Sequence, residues 1–146
     1  TDEAPPSEPE VPLDEQCTSE IQSNERWVCL TSATFDGNEI VIEYQAEFAG
    51  STPDIHGGFH LHIYGGDGTN PPAEIMGSQA GANAGDWYIE DQNPSVRAAD
   101  SQDFLEAIGS DLPPKVCARM ANSDHALVPD GNGGFNTGNC VPIRQL

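Results

Sequence analysis

The sequence predicts a mainly β protein: an antiparallel β-sandwich or Greek-key barrel with one short helix and long Gly-rich loops. Three observations lead there. First, 15 Gly and 12 Pro in 146 residues cut the chain into short apolar runs, which favours turns and strands over helical bundles. Second, Ile40, Ile42, Tyr44, Ala46 and Phe48 alternate with Glu39, Val41, Glu43, Gln45 and Glu47, the period of a strand with one buried and one wet face. Third, the same period recurs in His56-Gly57-Gly58-Phe59-His60-Leu61-His62-Ile63-Tyr64. Phe59, Leu61 and Ile63 line one side of that stretch, and His60, His62 and Tyr64 line the other.

Residues 1–16 hold six acids and four prolines, too little apolar surface for burial, so they read as a disordered, extended spacer. The single domain then spans 17–146, long enough for one core. Arg26 to Phe35 is a strand, and Asp36-Gly37 is a hairpin turn into the alternating strand. Gly50 to Asp54 turns the chain into the histidine strand. Gly65 to Gly85, with six glycines and two prolines, is a long loop, functional or mobile. Asp86 to Glu90 is a short strand. Asp100 to Ile108 is a helix of about two turns, capped by Asp100 or Ser101 and ended by Gly109. Pro113-Pro114 precedes a strand over Lys115 to Ala121. Asn122 to His125 is a turn, Ala126 to Val128 is extended, and a Gly/Asn-rich loop from Pro129 to Asn139 leads to a last strand from Cys140 to Ile143.

The net charge of −19, with only five Lys and Arg, repels nucleic acid and anionic membrane surfaces. It admits a cation, a basic peptide or a cell-surface protein as partner. Four cysteines without C-x-x-C spacing suggest two disulfides and an oxidising compartment. Of three connectivities, the sequence-local one, Cys17–Cys29 with Cys117–Cys140, is expected. No apolar run approaches the roughly 18–20 residues of a membrane span, and no signal peptide is visible. A secreted or cell-surface chain is therefore expected, starting after a removed signal or as an excised ectodomain.

Two imidazoles at i and i+2 of a strand stand about 6–7 Å apart at their bases, within reach of one metal ion. Imidazole suits copper and zinc, and His125, from a turn after a strand, is the candidate third ligand. The plainer alternative is a strand whose second face carries polar rings. On that alternative His60, His62 and Tyr64 form a binding surface walled by the 65–85 loop, with Trp87 and Tyr88 as candidates to border it and core packing the plainer reading of Trp87. No catalytic residue is assigned. There is no G-x-S-x-G elbow, the cysteines are used in disulfides, and Asp124 and His125 are too close in sequence for a triad pair. Asp130-Gly131-Asn132 starts like a calcium loop but lacks its closing Glu.

Gly58-Phe59-His60-Leu61-His62 resembles the copper signature of the Cu/Zn superoxide dismutases. Gly131-Asn132-Gly133-Gly134 with Cys140-Val141-Pro142-Ile143 is similar to that family's second signature, and the order of hairpin, H-x-H strand, later histidine and Gly-Asn loop agrees. The resemblance implies a shared β-sandwich fold, with His60 and His62 as copper ligands and His125 as the late one. It does not extend to the family's bridging and zinc-binding histidines, because no histidine occurs between His62 and His125. The run from Cys117 through Ala121-Asn122-Ser123-Asp124-His125 to Thr137-Gly138-Asn139-Cys140-Val141 resembles exported domains of high-GC Gram-positive bacteria. The expected function is an extracytoplasmic binding or sensing module on a flexible spacer, not an enzyme. The alternative is a copper- or zinc-binding protein with a dismutase-like histidine site.

Overall fold

A computed structural model describes residues 15–66, 87–109, 112–133 and 135–146. Most of the acidic segment and of the 65–85 loop lies outside the described residues. The chain is mainly β, as expected: seven strands form one mixed sheet nearly closed into a barrel. In chain order these are β1 (Trp27–Phe35), β2 (Glu39–Glu47), β3 (His60–Gly66), β4 (Tyr88–Glu90), β5 (Ser95–Ala98), β6 (Lys115–Ala121) and β7 (Cys140–Gln145). Among the described residues two short helices accompany them, α1 (Ser19–Gln22) and α2 (Gln102–Ala107). α2 is the expected helix, and Ser101 rather than Asp100 caps it, accepting from the Phe104 amide at 3.2 Å.

The strands run side by side as β4-β3-β6-β7-β1-β2-β5. Every pairing is antiparallel except one. β1 and β7 run parallel where Ala33, Thr34 and Phe35 meet Ile143, Arg144 and Gln145. At Asp36-Gly37 the hairpin is closed by the Asp36 carboxylate, which accepts from the amides of Asn38 and Glu39, while Gly37 takes φ +95°. The alternation along β2 resolves as expected, with Ile40, Ile42 and Tyr44 buried and Glu39, Glu43 and Glu47 exposed. Inside the barrel Val28, Ala33, Ile40, Ile42, Leu61, Ile63, Val116, Ala118 and Met120 form the main core. Both expected disulfides are formed, Cys17–Cys29 and Cys117–Cys140.

The sheet's two edges, β4 and β5, are tied by side chains rather than by a backbone ladder. Arg97 on β5 donates from Nη1 to Glu90 Oε1 at 2.8 Å and from Nη2 to the Ile89 carbonyl at 2.9 Å. Its guanidinium lies 4.4 Å from the Tyr88 ring centroid, and the Tyr88 hydroxyl meets Ser95 Oγ at 2.7 Å. Glu90, only 3% exposed, fills its other oxygen with the amides of Asp91 and Gln92. A buried carboxylate is tolerated because every bond it needs is present. β5 itself was not expected from the sequence, since its four residues are polar at one end and pair only with β2.

Between β1 and β6 the segment Thr137-Gly138-Asn139 substitutes for a strand. Thr137 O accepts from the Val28 amide at 2.8 Å, and Thr137 Oγ1 accepts from the Met120 amide at 2.9 Å. Asn139 Oδ1 accepts from the Leu30 amide at 2.6 Å, where β1 shifts register between Leu30 and Ser32. Gly138 passes so near β6 that a Cβ there would overlap the Ala118 carbonyl oxygen and crowd Val28 Cγ1.

Two outcomes follow for stability. Arg97→Met leaves Glu90 buried without its cation, and we expect a loss of about 3–5 kcal/mol in urea denaturation. Adding Glu90→Gln should restore part of that loss, as a double-mutant cycle will show. Gly138→Ala sets a methyl against backbone, and we expect it to cost at least about 1–3 kcal/mol, read as a lowered thermal midpoint.

Candidate metal centre

The β3–β6 register places the histidines. His60 pairs with Ala121, His62 with Arg119 and Tyr64 with Cys117. Leu61 and Ile63 point into the barrel, so His60, His62 and Tyr64 face outward. That outer face is covered, contrary to the expected wet face. His60 and His62 are fully buried, and Tyr64 is 2% exposed. Tyr64 packs with Cys117, Leu127 and Cys140 in a second apolar cluster, flanked by half-buried Trp87 and Phe135. Tyr88 is also buried, inside the barrel. The expectation that Tyr64 and Tyr88 border an open binding surface is therefore corrected. The C-terminal loop supplies the apolar lid that turns this face inward.

β6 ends at Ala121, directly opposite His60, and the chain turns back at once to bridge Ala121 with Leu127. His125 lies in that turn, exposed. Its Nδ1 stands 3.1 Å from His60 Nε2. One ligand atom from each of His60, His62 and His125 lies within 4.8 Å of the others. The nitrogens of a tetrahedral imidazole site are about 3.4 Å apart when metal bonds are about 2.0–2.1 Å, and the closest pair is already within that distance. His56, the fourth histidine, is exposed and outside this cluster.

The hydrogen bonds suit ligation. His60 Nδ1 donates to the Gly58 carbonyl at 3.0 Å, which fixes the proton there and leaves the Nε2 lone pair facing its neighbours. This is the outer bond that orients a metal-binding imidazole. His62 differs. Its ring stacks on Trp87, with centroids 4.9 Å apart and planes 22° apart, yet among the described residues neither ring nitrogen has a hydrogen-bond partner. A buried, unpaired polar atom costs about 1–3 kcal/mol, so an imidazole here is expensive unless something binds it.

The electrostatics disfavour the charged forms of His60 and His62. Burial, then the neighbouring His60 and His125, pushes His62 down to about 3 from its ordinary 6.5. Burial also lowers His60, against the opposing Gly58 hydrogen bond. Neutral imidazoles are the form that binds metal.

Other residues of the site were not apparent in the sequence. Arg119, cross-strand to His62, is 2% exposed and donates from Nη1 to the Ala118 carbonyl at 3.0 Å and to the Gly138 carbonyl. Trp87, by contrast, was a candidate to border the histidine face, with core packing the plainer expectation, and its ring walls His62. Compared with known proteins, the chain matches no family model, no curated protein and no solved structure.

The depressed His62 has a consequence for acid stability. Between pH 6.5 and about 3 the unfolded chain binds a proton at this ring that the folded chain does not. Stability therefore falls as pH drops through that window, by at most about 1.4 kcal/mol per pH unit from this one group. We expect urea midpoints of metal-stripped protein to fall between pH 7 and pH 5, and His62→Leu to flatten that slope. An equal slope in the variant would contradict the assignment.

Proposed function

We propose that this domain is an extracytoplasmic metal-binding protein that takes a copper or zinc ion on His60, His62 and His125. The observation that carries the reading is His62, a fully buried imidazole whose two nitrogens have no hydrogen-bond partner among the described residues, set beside two more imidazoles. A strand that needed only packing at this position would be better served by an apolar residue. Three imidazole nitrogen ligands without a carboxylate suit zinc and copper over magnesium or calcium.

The remaining features support the same reading. A net charge of −19 concentrates cations and disfavours nucleic acids and anionic membranes as partners. Two disulfides fit an oxidising compartment, and among the described residues no helix is long and apolar enough to cross a membrane. The broader reading, a binding or sensing module, is kept in this form with the cation as ligand. A dismutase activity is not proposed, since no histidine between His62 and His125 is there to bridge a second metal.

Calorimetric titration with Zn(II) and Cu(II) tests the proposal. One ion should bind with a dissociation constant in the micromolar range or tighter, and His62→Ala should abolish that binding. Cu(II) should also quench the fluorescence of Trp87, whose ring lies against His62, and Trp87→Phe should remove that part of the quench. Binding weaker than high micromolar that His62→Ala leaves unchanged would overturn the reading.

A further inference from the structure

The three imidazoles reach the site by different means. His60 and His62 come from a paired strand inside the barrel wall. His125 comes from a turn of five residues, exposed, at φ +59°. Among the described residues only Ala49 shares a positive φ without being glycine, a conformation that a Cβ makes uncommon. A turn there could take glycine freely. A histidine in that place, with its Nδ1 turned to His60 Nε2, points to a conformation kept for the side chain it aims.

The turn is held by one residue. Asn122 Oδ1 accepts from the amide of Asp124 at 2.9 Å and from the amide of Ala126 at 3.2 Å. Asn122 O accepts from the His125 amide at 2.9 Å, and the Asn122 amide donates to Ala126 O at 2.9 Å. The side-chain oxygen thus grips the backbone on both sides of His125, an Asx-type closure. Asn122 makes none of these bonds to an imidazole, so it acts through the backbone alone.

We propose that Asn122 is a positioning residue of the metal site, locking the 122–126 turn so that His125 is held over His60 and His62 as the third nitrogen ligand. The inference rests on the metal-binding reading above and adds to it the origin of the third ligand's preorganisation. Without the Oδ1 acceptor the turn relaxes, the left-handed residue returns to ordinary backbone, and the ion keeps two protein nitrogens.

The test compares the wild-type chain with Asn122→Ala, Asn122→Asp and His125→Ala, each titrated with Cu(II) and Zn(II). Electron paramagnetic resonance of the Cu(II) forms counts the bound nitrogens. Asn122→Ala should weaken binding by about 10–100-fold and move the spectrum from three nitrogens toward the two-nitrogen spectrum of His125→Ala. Asn122→Asp, which keeps an Oδ1 acceptor, should restore most of the affinity and the third nitrogen. Should Asn122→Ala not fold, Asn122→Gly removes the same oxygen while tolerating the turn backbone, with the same expected result. A purely structural Asn122 would lower the melting temperature and leave the three-nitrogen spectrum intact, overturning this inference while the metal site stands. Failure of Asn122→Asp to recover the third nitrogen would overturn it as well. A wild-type chain that binds neither ion would overturn both readings together.

Discussion

The antiparallel register between β3 and β6 is the constraint on which the site depends. It sets Leu61 and Ile63 against Met120 and Ala118 inside the barrel. By the same step it sets His60 opposite Ala121, the last residue of β6. The turn that follows can therefore return across β3 within a few residues. A slip of one residue would put His60 and His62 into the core and Leu61 and Ile63 outside, since side chains alternate along a strand. The apolar inner face makes that slip costly, so the burial that builds the barrel also places the histidines.

A barrel of this size is stable only if its edges and outer faces are handled. The edges are handled by Arg97, whose bonds to Glu90 and the Ile89 carbonyl replace the ladder that β4 and β5 do not make. The outer face of β3 is handled by the C-terminal loop. Leu127, Phe135 and the Cys117–Cys140 disulfide cover Tyr64, and Thr137-Gly138-Asn139 threads between β1 and β6 with backbone bonds to both. Two buried imidazoles sit in the space this lid leaves. His60 is satisfied by Gly58, and among the described residues His62 is not.

Much of this was legible locally. Alternation specified β2 and β3, Asp36-Gly37 specified the hairpin, and Ser101 through Gly109 specified α2, because each signal lies within a few residues of its effect. The cysteine pairing was legible for the same reason, since each pair is close in sequence. His60, His62 and His125 were nominated from residue type and strand period, and they do converge. What escaped were contacts without a local signature: the short β5, the parallel β1–β7 pairing, and Asn122 as the brace of its turn. Tyr64 and Tyr88 were misplaced because a period of two says which residues share a face and nothing about what covers it.

By itself the sequence determined a mainly β chain, two disulfides, a strongly negative charge and a strand with two imidazoles on one side. Those follow from side-chain period, turn chemistry and composition, which act over short distances. Only the tertiary structure decided that the imidazole face is buried, that His62 has no hydrogen-bond partner among the described residues, and that His125 stands 3.1 Å from His60. The physical reason is that burial and convergence are properties of strand pairing between residues 60 and 121 and of a loop folded over both, and no local pattern encodes which segment comes to lie on which.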